Sequence, residues 1–176
     1  MSDTDGASDG VDALVGIDPW SALEDGRAQL LRALDGLTPA DAARPLADAP
    51  GWSVADLLTH VAAWDELTAR FLRALAAGAR DLPVEAARDG DWAAWNAAHL
   101  AAAAGDAFAL RVERLHAARA ELLASAGALD AALFDQPFAN TWGTRDSVRA
   151  ALVGQAMHDA MHAETLAPLA RPGEQG

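Results

Sequence analysis

Apolar residues recur at helical spacing in four stretches of the chain, and no stretch alternates in the manner of a strand. Leu23, Leu30, Leu34 and Leu37 mark the first, from about residue 19 to 36. Asp18 before Pro19 reads as an N-cap followed by proline at the first helical position, with Ser21 and Glu24 as a second capping signal. Gly36, Pro39, Pro45 and Pro50 then predict a structured connection with one short helical turn after Thr38. The second helix has the clearest start, because Ser53 and Asp56 have the spacing of a capping box. Val54, Leu57, Leu58, Val61, Trp64, Phe71, Leu72 and Leu75 trace its face to about residue 77.

A third, long helix is expected from near Asp91 to about Ser125, with a kink at Gly105 and a stripe of Phe108, Val112, Leu115 and Leu122. Residues 126–143 hold Gly127, Pro137 and Gly143 and read as a loop carrying Trp142. Thr144 can cap a fourth helix that runs to about Ala167, where Pro168 ends it. Four amphipathic helices predict an all-α fold, a four-helix bundle over residues 18–170. Residues 1–17 are rich in Asp, Gly and Ser and read as an acidic tail with little to bury; residues 171–176 read as a second tail.

Composition narrows the function. A net charge of −13 argues against nucleic acid, which needs clustered cations, and disfavours anionic membrane surfaces. No apolar run approaches the roughly 20 residues of a membrane span. The N-terminus lacks the basic and apolar regions of a signal peptide, so the expected location is the cytoplasm. The chain has no Cys, which rules out thiolate ligands and a sulfur nucleophile of its own.

The candidate chemistry lies in the histidines. His158 and His162 fall in the same sector of the fourth helix as Val148, Ala151, Leu152, Gln155, Leu166 and Leu169. Four residues apart, their Cβ atoms lie roughly 5–6 Å from each other. Both rings can therefore reach one ion at about 2.0–2.1 Å. His60 lies between Leu57 and Trp64 on the apolar side of the second helix. Three imidazoles in a core need partners for their nitrogens. A lone core histidine is more often hydrogen-bonded than metal-bound, and spacing alone leaves both readings open. His99 and His116 have no mate at ligand spacing and read as ordinary helix residues, while Trp52, Trp64, Trp92 and Trp95 read as packing.

The segment Trp52-Ser-Val-Ala-Asp-Leu-Leu-Thr-His60-Val-Ala-Ala-Trp64 resembles the second helix of the DinB/YfiT-like superfamily. His158-Asp-Ala-Met-His162-Ala-Glu-Thr-Leu166 resembles its fourth, and Trp95-Asn96-Ala97-Ala98 resembles the third-helix start of two branches. Those branches are the mycothiol-dependent maleylpyruvate isomerase-like proteins and the ClbS/DfsB group. Over about residues 19–169, the resemblance implies a bundle in which His60, His158 and His162 bind one divalent metal ion (Zn, Ni or Fe). It further implies a small-molecule substrate and a low-molecular-weight thiol such as mycothiol, in a thiol S-transferase or isomerase. A hydrolase of the ClbS/DfsB self-resistance type and a non-catalytic binding bundle are the alternatives, and a homodimer is compatible with each. Asp56, a turn before His60, and Asp159, beside His158, are candidates to orient imidazoles, though capping explains Asp56 and a solvated position suits Asp159 equally. Trp142 is a candidate pocket wall or a plug for the bundle end.

Deleting residues 1–15 should leave the melting temperature within about 2 °C of the full chain, since 1 kcal/mol corresponds to roughly 2–4 °C at this size. A larger drop in a thermal melt would mean that the segment docks.

Overall fold

The computed structural model describes residues 16–79, 91–139 and 145–169. Five α-helices occur among them: α1 (Pro19–Leu34), α2 (Val54–Ala76), α3 (Trp92–Ala102), α4 (Phe108–Gly127) and α5 (Val148–Leu166). The Asp18 and Ser53 caps form as predicted, while Ser21 and Glu24 fall inside α1 and do not cap it. The Asp18 carboxylate accepts from the Ser21 amide at 2.9 Å with Pro19 at the first helical position, and Ser53 and Asp56 form a reciprocal capping box. The short turn after Thr38 is a 3-10 helix, Pro39–Asp41.

Helices α1, α2, α4 and α5 form the bundle. The residues that meet fix their directions. Arg111 reaches Ala55 and Thr59, while Arg114 reaches Glu66, so α2 and α4 run parallel. Leu23 packs with Val148 and Leu152 at one end of the bundle, and Leu30 with Ala163 and Leu166 at the other, so α1 and α5 are parallel too. Leu23 shares its end with Leu72 and Leu75, and Leu30 with Leu57 and Leu58, which makes α1 antiparallel to α2. Gly26 sets the closeness of α1 to α5: a Cβ there would sit 2.4 Å from the Ala156 carbonyl oxygen.

Between the two apolar clusters lies a charged layer with one member from each bundle helix. Arg27 donates to Asp65 at 2.6 Å and to Asp159 at 2.9 Å. Arg119 donates to both oxygens of Asp65 at 3.0 Å and to Asp159 at 2.8 Å. Gln155 adds a bond to Asp65 at 3.1 Å. The two arginines also reach the carbonyls of Leu115 and Leu23. All five side chains are buried. Two cations face two anions with several hydrogen bonds each, the condition under which buried charge is tolerated.

The third predicted helix differs from expectation. It is two helices, α3 and α4, separated at residues 103–107 around Gly105. Arg111 supports the break by donating to the Ala103 and Asp106 carbonyls, the first of which also accepts from the Asp106 amide at 3.0 Å. The loop before α5 also holds more structure than expected: a 3-10 turn (Ala131–Leu133) and an antiparallel hairpin, β1 (Pro137–Ala139) with β2 (Arg145–Ser147). Phe138 of β1 is buried in the first apolar cluster, which ties the hairpin to the bundle end. Ser147 caps α5, accepting from the Ala150 amide at 3.1 Å; Thr144, the expected cap, lies outside the described residues. No helix among them is long and apolar enough to cross a membrane.

Asp65→Ala would leave Arg27 and Arg119 facing each other with one of their two carboxylate partners gone. Unfolding in urea should show a loss of about 3–5 kcal/mol, the usual cost of orphaning a buried charge. A loss under about 1 kcal/mol would mean that Asp159 alone suffices for both guanidinium groups.

Candidate functional site

His60 on α2 and His158 and His162 on α5 converge on one flank of the bundle. One ring nitrogen from each lies within 4.8 Å of the others. The Nε2 atoms of His60 and His158 are 2.9 Å apart, and those of His158 and His162 are 3.0 Å apart. All three residues are buried. Ligand atoms about 2.0–2.1 Å from a tetrahedral ion are separated by roughly 3.3–3.4 Å, so two of the three pairs lie slightly inside that spacing and the third within 4.8 Å.

The contacts among the rings are chemically incomplete. A ring nitrogen has one in-plane position, holding either a proton or a lone pair. The Nε2 of His158 can therefore complement one neighbouring Nε2 but not both. His162 Nδ1 is buried with no hydrogen-bond partner among the described residues. His60 Nδ1 meets Asn96 Oδ1 at 3.0 Å.

Burial, as the largest effect, pushes the pKa of His60 down from 6.5 to about 4; the Asn96 bond opposes this and the neighbouring His99 assists it. Burial lowers His158 to about 2, helped by His162, His60, Arg119 and Arg27. It lowers His162 to about 3, helped by His60. At neutral pH the three rings are uncharged, the state in which imidazole binds a cation.

Indole rings surround the cluster. Trp52 packs edge-on to His60 at 4.8 Å between centroids, and Trp64 lies 6.1 Å from His60 and 6.0 Å from His158. Trp92 and Trp95 stack on Trp64 from α3, at 4.9 and 5.0 Å. These tryptophans, read from the sequence as packing, are also walls of the histidine site. His99 sits one turn along α3, its ring 4.0 Å from that of Trp95 and its Nδ1 2.9 Å from the Trp95 carbonyl.

Two of the acids expected near the rings are engaged elsewhere. Asp56 binds the Ser53 amide and hydroxyl at 3.0 and 2.7 Å and pairs with Arg111 at 3.7 Å, so its carboxylate completes a helix cap. Asp159 is neither solvated nor an imidazole partner. One residue beyond His158, it is turned about 100° around α5 into the charged layer. Burial raises its pKa, while Arg119 and Arg27 oppose the rise. Trp142 lies outside the described residues.

Sequence reasoning missed two sets of residues. Asn96 has no spacing relation to His60, because it arrives on a separate helix; only the family-like phrase around Trp95 touched it. Arg27, Asp65 and Arg119 carried a signal that went unread. Each interrupts an apolar stripe at helical spacing: Arg27 between Leu23 and Leu30, Asp65 between Val61 and Leu72, Arg119 between Leu115 and Leu122.

The sequence profile of the DinB superfamily matches residues 22–166. The crystal structure of an uncharacterised protein from Escherichia coli UTI89 is similar with a TM-score of 0.69 and 16% identity, covering 84% of this chain and 88% of that one. At that identity the likeness concerns the fold alone. No curated protein matches the chain significantly. The profile spans all four bundle helices and includes all three converging histidines, and the chain belongs to the DinB superfamily.

Proposed function

We propose that the protein binds one divalent metal ion through the Nε2 atoms of His60, His158 and His162, and uses it in a thiol-dependent S-transfer or isomerisation of a small molecule. The observation that carries the reading is the approach of three buried, uncharged ring nitrogens that cannot all satisfy one another. A cation would take up the three lone pairs together. Zn, Ni and Fe all suit imidazole.

Bound there, the ion would supply Lewis acidity, lowering the pKa of an incoming thiol or water and polarising a substrate carbonyl. The chain's own residues set the conditions for this. Three neutral ligands leave the ion's full charge available to an anionic reactant. Asp65 and Asp159 do not compensate that charge, because Arg27 and Arg119 already hold them. The indoles of Trp52 and Trp64 limit water around the rings. Because the chain contains no Cys, the sulfur must come from a separate small molecule, which agrees with the family's use of mycothiol or bacillithiol.

Metal analysis of the purified protein should find one ion per chain. His162→Ala should abolish that uptake, and thiol-transfer activity with it, while leaving the helical circular dichroism intact. Full metal loading in the variant would remove His162 from the site. Tight binding by the wild type without turnover, using mycothiol, bacillithiol, glutathione or coenzyme A, would defeat the transferase reading in favour of a hydrolase or a binding bundle.

The buried rings also give the metal-free protein a pH signature. Their folded pKa values lie below 6.5, so the unfolded chain takes up protons first as the solution is acidified. The stability they permit is complete above about pH 6.5 and is lost as pH falls from there toward 4 and below. Thermal melts over that range should show a falling melting temperature, with a shallower slope in His162→Ala. Parallel slopes in the two proteins would contradict the burial argument.

A further inference from the structure

Helix α3 lies outside the four-helix core yet contributes a polar side chain, Asn96, that bonds a cluster imidazole carried by another helix. None of its residues is itself buried. Two attachments hold it over the site: the Trp92 and Trp95 rings stack on Trp64, and Arg111 grips the Ala103 carbonyl at its C-terminal end. Between these points Asn96 places its Oδ1 3.0 Å from His60 Nδ1.

A neutral imidazole carries one N–H, and the bond made at one nitrogen decides what the other can do. An acceptor at Nδ1 keeps the proton there and leaves a lone pair on Nε2. A donor at Nδ1 would move the proton to Nε2, where it would point at His158 and block a cation. The asparagine amide can turn either face to the ring, so its orientation is the deciding variable.

We propose that Asn96 is a positioning residue, its Oδ1 accepting the Nδ1–H of His60 and so directing the Nε2 lone pair into the cluster. The metal reading above supplies the reason for this arrangement, and the inference rests on it for its consequence in affinity. Replacing the hydrogen-bond partner of a ligating histidine typically weakens metal binding roughly 10–100-fold.

The test uses the full-length protein and two variants of similar size. Asn96→Asp keeps an acceptor and removes the donor; Asn96→Leu removes both. In the metal-free state, long-range proton–nitrogen NMR of labelled histidine should show His60 as the Nδ1–H tautomer in the wild type and in Asn96→Asp, but not in Asn96→Leu. Competition with a chromogenic chelator should show Zn(II) affinity falling roughly 10–100-fold in Asn96→Leu and staying within about threefold, or tightening, in Asn96→Asp. Circular dichroism should remain that of the wild type in both. An Nε2–H tautomer of His60 in the wild type would overturn the proposal. So would an Asn96→Asp variant as weak as Asn96→Leu, which would reduce the residue to a packing role for α3. If the wild type takes up no Zn(II), the metal reading falls by itself, and the NMR tautomers still decide whether Asn96 sets the ring.

Discussion

The charged layer of Arg27, Asp65, Arg119 and Asp159 is the constraint on which the rest of the fold depends. Apolar side chains attract without direction, so the two leucine-rich clusters would tolerate small rotations and slips of each helix. Bidentate guanidinium–carboxylate contacts do not, because they fail when the geometry changes by a fraction of an ångström. With one member on each bundle helix, the layer sets the rotation and axial level of all four. It also sets the histidine site. With Asp159 facing the centre, the neighbouring His158 must face the flank, and His162, one turn later, falls beside it against His60.

The same layer shows why some of the molecule was legible in the sequence and some was not. Local rules found the helix starts: Ser53 with Asp56, and Asp18 with Pro19, are complete within a few residues and need no tertiary partner. His158 and His162 are legible as an i,i+4 spacing on an apolar face and His60 by its place on the apolar side of α2, while the family-like phrases join the three in one site. The buried charges were harder to see. Arg27, Asp65 and Arg119 occupy stripe positions, but a charge is ordinarily read as solvent-facing, and only the presence of three others at the same level makes burial tolerable. That information is distributed over 132 residues of separation, so no local window contains it. Gly105 suggests a kink, and the chain instead breaks there, with Arg111 of the following helix and the Asp106 amide bonding carbonyls of the gap.

The parallel arrangement of α2 and α4 accounts for the last component of the site. A tight turn joins antiparallel helices only, so the chain leaving α2 must travel the length of the bundle before starting α4. Helix α3 belongs to that return path. It runs past the histidine flank, which is how Trp92, Trp95 and Asn96 come to lie over rings carried by α2 and α5. The crossover is thus both a topological necessity and the source of the site's outer wall.

The parallel pairing of α1 with α5 has a consequence for biogenesis. Helix α1 leaves the ribosome before the other bundle helices, yet the helix against which Gly26 is fitted, and the carboxylate of Asp159 that Arg27 binds, are the last of the bundle to be made. At about 5–20 residues per second, the intervening chain takes on the order of ten seconds to make. During that interval Arg27 and Arg119 lack the Asp159 carboxylate, and two leucine faces have no α5 to cover them. The core closes only once α5 has been made, so a chain truncated before residue 148 retains the apolar surface of the bundle without the element that seals it.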